Sequence, residues 1–85
     1  MQQHYDNLVK TAHHFGLSRQ NNKTIEEVDE LREALHAPAL TAHLQEEIAD
    51  VYNMLDQICI LMDCEDSVQD IAERKMIRTI ETYGI

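Results

Sequence analysis

Residues 44–62 read LQEEIADVYNMLDQICILM, and the periodicity of this stretch sets the fold class. Leu44, Ile48, Val51, Leu55, Ile58 and Met62 follow one another at intervals of 4, 3, 4, 3 and 4. Apolar residues repeating in this way line one side of an α-helix as a heptad-like seam, whereas a strand would alternate every second residue. No Gly or Pro interrupts the run. The helix is expected to start near Thr41 and to end near Asp63, a length of roughly 35 Å at 1.5 Å per residue.

Toward the N-terminus, Tyr5, Leu8, Ala12 and Phe15 predict a first helix from about Gln3 to Phe15, ended by Gly16. A polar stretch, Ser18 to Lys23, follows. Thr24 with Glu27 three residues on forms a capping-box pattern, which predicts the start of a second helix. Its apolar stripe is Ile25, Val28, Leu31 and Leu35, and the stretch around Pro38 is expected to close it. Toward the C-terminus, the break CEDS at residues 64–67 offers Asp66 or Ser67 as the cap of a fourth helix, which runs to about Tyr83.

The chain therefore reads as all-α, a single domain over residues 1–85 built as a small bundle of about four helices. A chain of 85 residues has little bulk for a core of its own. The third helix also carries a second, partly apolar row containing Met54 and Leu61, which one neighbouring helix cannot cover together with the seam. The core is accordingly expected to be completed by homo-oligomerisation, as a homodimer or homotetramer.

Composition narrows the class. The chain is 44% hydrophobic with only two Gly and one Pro, and aromatics make up 5%, a mixture that favours long helices. Its formal net charge of −9 argues against a nucleic-acid backbone or an anionic membrane as partner. Cys59 and Cys64, five apart in a helical stretch, point to different faces and read as ordinary buried thiols of a reducing compartment. The N-terminus, MQQHYDNL, lacks the features of a signal peptide, and no apolar run approaches the roughly 20 residues of a membrane span. A soluble, cytoplasmic protein is expected.

The acids are not spread evenly. Glu27 and Glu30 are three apart on the second helix and share a face, as do Glu47 and Asp50 on the third. The row His43, Glu47, Asp50, Met54, Gln57 and Leu61 runs beside the apolar seam, at the edge of the packed interface. If the two helices pack antiparallel along their stripes, four carboxylates converge and repel unless a cation lies between them. Oxygen donors on a rigid frame suit Mg²⁺ or Mn²⁺ rather than zinc. The plainer alternative is a pair of solvated acidic faces. Asn53, three residues after Asp50, is placed to touch sugar or base, or else is a polar interface residue. Glu33 and His36 form one ExxH unit, but a di-iron carboxylate bundle needs a second copy and none is present.

Glu26-Glu27-Val-Asp-Glu30 followed by Glu47-Ile-Ala-Asp50 resembles the EExxE…ExxD signature of the all-α nucleoside triphosphate pyrophosphohydrolases, the MazG-like superfamily. The similarity runs from about Thr24 to Arg78 and includes the context EEIADVYNML. The resemblance implies Mg²⁺-dependent hydrolysis of a nucleoside triphosphate to monophosphate and pyrophosphate, with Mn²⁺ as a substitute ion. It implies Glu27, Glu30, Glu47 and Asp50 as metal ligands and Glu26 as general base or water positioner. It further implies Lys75 and Arg78 as phosphate-facing cations on the fourth helix. Without it, these two are a basic helix end that favours the macrodipole. Thr79 and Glu81 stand where members of the superfamily often carry further basic residues. The histidine-pathway phosphoribosyl-ATP pyrophosphohydrolase has a similar acid pattern but usually carries Tyr-His after it, where this chain has Val51-Tyr52-Asn53. A non-catalytic helical oligomerisation or regulatory module is the alternative outside the enzyme class.

Overall fold

Gly16 is the single residue between the first two helices, α1 (Gln2–Phe15) and α2 (Leu17–Leu35). Its φ of 85° and ψ of 167° lie in a region essentially confined to glycine. This turn reverses the chain while keeping both helix ends bonded, with Gly16 N–H donating to Ala12 O at 2.8 Å and Gln20 N–H to Gly16 O at 3.0 Å. A computed structural model describes residues 2–37 and 41–85, and adds α3 (Ala42–Met62) and α4 (Glu65–Tyr83). The architecture is all-helical, and no strand occurs among the described residues. No described helix is long and apolar enough to cross a membrane.

The second helix starts seven residues before the expected Thr24 cap. With Gly16 supplying the turn, the stretch Ser18–Lys23 has no Gly or Pro to keep it out of the helix. Thr24 sits mid-helix, its Oγ1 donating to the Gln20 carbonyl at 2.7 Å. The expected closure around Pro38 lies outside the described residues. Thr41 caps α3 as expected, although its side chain makes no capping hydrogen bond.

The α3–α4 junction also differs from expectation, since Cys64 rather than Asp66 or Ser67 holds the cap position. Asp63 turns the chain in the left-handed region, at φ 52° and ψ 48°. Its N–H returns to Ile60 O at 3.2 Å and that of Cys64 to Cys59 O at 3.0 Å. The Asp63 turn separates the two cysteines, so they do not sit on one unbroken helix and the faces expected for one do not apply. Both cysteines are free and half-buried rather than buried. Burial, then the neighbouring Cys64, pushes the Cys59 thiol above its ordinary range.

α2 and α3 form the main packed pair, with α1 laid across both, while α4 approaches only α3 closely among the helices. The packed faces are not the ones the apolar stripes suggest. α2 buries Gln20, Glu27 and Ala34, a strict seven-residue line, and leaves Ile25 62%, Val28 44% and Leu35 59% exposed. α3 buries Leu44, Glu47, Val51, Met54 and Gln57, so Leu55 and Met62 of the expected seam point outward. α2 is thus rotated so that Gln20 and Glu27 turn inward, toward a face of α3 on which Glu47 and Gln57 lie among Leu44, Val51 and Met54. Of these apolar residues, Leu44 and Val51 are from the expected seam. The reason is legible in shape: α1 contributes only Leu8 and Ala12 to the interior, so the wide apolar stripes of α2 and α3 have nothing in the chain to lie against. Among the described residues ten are buried, and four of these are Gln or Glu. α4 buries none.

Candidate metal centre

Glu27 faces inward from the middle of α2, with Glu30 one turn further on, and Glu47 faces them from the first half of α3. One carboxylate oxygen from each of the three lies within 4.8 Å of the others. Glu27 and Glu47 are both buried, while Glu30 closes the cluster from the exposed side.

The partners of these acids are few. Lys23, one turn before Glu27, places Nζ 3.2 Å from Glu27 Oε1. His43, one turn before Glu47, places Nε2 3.7 Å from Glu47 Oε1. The second oxygens, Glu27 Oε2 and Glu47 Oε2, are sealed from solvent and have no hydrogen-bond partner among the described residues. A buried carboxylate oxygen with no donor costs folding free energy, about 1–3 kcal/mol or more for a charged group. Two such oxygens on residues of one carboxylate cluster are what a cation could relieve, and the carboxylate donors of the cluster suit an oxygen-seeking one. The residues present therefore fit an oxygen-seeking cation.

The electrostatics agree. A hydrogen bond to Glu27 favours the protonated form of Glu30, and the Glu27 charge, burial and the Glu47 charge add to it. Together they hold the Glu30 carboxyl above the usual carboxylate range, with Lys23 opposing. Lys23 is itself held above the ordinary lysine range, first by its hydrogen bond to Glu27. The cluster opens on one side into a basin of about 360 Å³ lined by Glu30, Glu33, Ala34, Ala37, His43 and Glu47.

Three of the four expected ligands thus come together. Asp50, expected as the fourth, is exposed and lies outside this cluster, because the rotation of α3 that buries Glu47 carries the residue three positions on toward solvent. Glu26 points the other way round α2, onto the wall of a second cavity. Asn53 is half-buried beside α1, in a recess shared with His4, Asn7, Leu8, Thr11 and Gln57. Lys75 and Arg78 are exposed on α4, which does not approach α2, and no ion pair joins them to an acid among the described residues. His36 of the ExxH unit sets its Nδ1 2.9 Å from the Arg32 carbonyl and takes no part in the cluster.

Sequence reasoning missed Gln20, and placed Gln57 in the row beside the apolar seam without giving it a role. They are among the most buried residues of the chain, and Gln20 Nε2 donates to Gln57 Oε1 at 2.7 Å. The available signal was the seven-residue interval from Gln20 to Glu27, hidden by assigning Gln20 to a polar connection. The chain matches no family model, no curated protein and no solved structure.

Proposed function

We propose that this protein is a cytosolic Mg²⁺-dependent nucleotide pyrophosphohydrolase that cleaves nucleoside triphosphates to monophosphate and pyrophosphate. The observation that carries the reading is the meeting of Glu27, Glu30 and Glu47 with two buried, unpartnered oxygens. The similarity of the EExxE…ExxD spacing to that of the MazG-like superfamily supports it. Glu27, Glu30 and Glu47 hold Mg²⁺, with Mn²⁺ as substitute. A cation bound there supplies neutralising charge for the phosphates and lowers the pKa of a coordinated water.

The chain's own groups do the rest. Glu26, the exposed carboxylate next to Glu27, lines the second cavity, so its role as general base or water positioner holds only for a water on that side of α2. Asp50, three residues past Glu47 and outside the trio, would support from the exposed side any cation the trio held. Asn53 contacts the sugar. Lys75 and Arg78 lie too far along α4 to serve the cluster of their own chain, and in a homodimer or homotetramer they grip the phosphates bound by a neighbouring subunit. The outward apolar faces of α2, α3 and α4 supply the contact surface for that assembly.

The same faces favour a second reading, a non-catalytic oligomerisation module whose acids are a surface. The deciding experiment measures pyrophosphate release from a panel of nucleoside triphosphates, including phosphoribosyl-ATP, with Mg²⁺ and with chelator. Metal-dependent release from any of them supports the enzyme, and none from all of them sinks it.

A further inference from the structure

A cavity of about 520 Å³ opens between α1, α2 and α3, and its make-up differs from that of the acidic basin. Phe15 of α1 forms one wall, and the guanidinium of Arg19 lies over its ring, 4.9 Å from the centroid. The buried amides of Gln20 and Gln57 form the floor, with Asn22 and Lys23 also lining the cavity. Lys23 ties this cavity to the carboxylates through its contact with Glu27. The volume falls in the range of small-molecule sites, roughly 300–1,000 Å³, and a few fixed polar groups beside an apolar face are typical of them.

The floor has a defined polarity. Gln57 Nε2 donates to the Asn53 carbonyl at 3.2 Å, so Gln57 must turn its oxygen toward Gln20. Gln20 in turn must present its nitrogen to that oxygen. Gln20 Oε1 is left as an acceptor with no protein donor, yet it is not among the atoms sealed from solvent. Gln20, 4% exposed, lines this cavity and carries the one amide oxygen of the pair that accepts no hydrogen bond among the described residues.

We propose that this cavity receives the base of the nucleotide, with Phe15 as the stacking face and Gln20 Oε1 accepting a base N–H. The proposal rests on the nucleotide reading above and extends it to substrate selection. A flat guanidinium already occupies the place over the Phe15 ring, which a flat heterocycle takes by displacing or sandwiching it. Glu26 and Lys23 also line this cavity, and Lys23 alone of the two contacts Glu27 of the trio. A free buried acceptor discriminates strongly, because a base that offers no donor leaves it unpaired.

The full-length chain is titrated with adenosine, guanosine, cytidine and uridine, and their deoxy forms, in chelator, and followed by ¹H–¹⁵N spectra. At least one nucleoside is expected to shift the side-chain amides of Gln20, Asn22 and Gln57 saturably. Gln20→Met and Phe15→Ala are expected to weaken that binding tenfold or more. Should Gln20→Met fail to fold, the exposed Phe15 position carries the comparison, with Phe15→Tyr restoring affinity. A wild type that binds a nucleoside here but releases no pyrophosphate keeps the pocket and removes the pyrophosphohydrolase reading. A wild type that turns over triphosphates with no amide shifts, and with kcat/KM unchanged in Phe15→Ala, overturns the pocket. Saturable shifts confined to another face also overturn it.

Discussion

Glu27 and Glu47 are matched across the α2–α3 interface: each is paired through Oε1 with a base one turn earlier in its own helix, and each leaves Oε2 buried and unpartnered. Two helices that bury such groups together store repulsion which a cation, if bound there, would relieve. Four measurements follow from this arrangement and its surroundings.

Mg²⁺ is expected to raise the melting temperature. At a free concentration a hundredfold above Kd, a ligand that binds only the folded state adds about 2.7 kcal/mol, or roughly 10–20 °C for a domain of this size. Glu27→Gln and Glu47→Gln are expected to raise the melting temperature in chelator and to abolish the Mg²⁺ response. Identical melting curves in chelator and millimolar Mg²⁺ would count against the centre.

The carboxylates are expected to differ in their effects on pyrophosphate release. Glu47→Gln removes a ligand with almost no change in volume, and should cost more than the roughly 10–100-fold typical of an outer residue. Asp50→Asn should fall within that 10–100-fold range, since Asp50 stands outside the trio. Steady-state rates with helical content checked by circular dichroism decide it. Equal losses would place Asp50 among the ligands.

Alkaline titration is expected to isolate Tyr5. Its hydroxyl donates to Glu65 Oε2 at 2.7 Å, and that bond, then burial and the nearby acids, raises the phenol above its ordinary value of about 10. A folded pKa above the unfolded one means that the stabilisation is complete below pH 10 and is lost as pH rises through the raised value. Tyrosinate absorbance should therefore show a late component, absent in Tyr5→Phe and moved back toward the ordinary value in Glu65→Gln. A Tyr5 that ionises at the ordinary value would break the link between α1 and the start of α4.

Assembly is expected to depend on faces that the single chain leaves open. Leu55 is 49% exposed, so Leu55→Glu should leave the chain's own packing intact while dissociating a homo-oligomer. Light scattering on wild type and variant reads the change directly. A wild type that is an active monomer of 9.9 kDa at micromolar concentration would remove both the assembly and a site shared between subunits.

Periodicity in the sequence revealed four helices, the end of α1 at Gly16 and the extent of α3, because local spacing and breakers control those features. It also paired Glu27 and Glu30 with Glu47. It did not reveal which way the helices turn. Ile25, Val28, Leu55 and Met62 form better apolar stripes than the rows that are buried, and hydrophobic pattern alone points them inward. Whether a stripe meets its own chain or a neighbour is a matter of how much core the remaining helices can provide, and that quantity is not written at any one position. The start of α2 was lost for a different reason. Thr24 and Glu27 make a capping pattern that is a real local preference, overridden where Gly16 offers an earlier turn.

The one-residue link at Gly16 leaves the chain no slack between two walls of the 520 Å³ cavity. Phe15 stands just before it and Gln20 four residues after, on helices whose mutual phase is fixed by a single pair of backbone angles. Inserting one residue into either helix beside this link would swing its side of the cavity by about 100° and carry the ring or the amide out of register. Any length variant arising here would have to give up the pairing of Phe15 with Gln20, so this junction constrains the spacing of the gene more tightly than the identity of its neighbours.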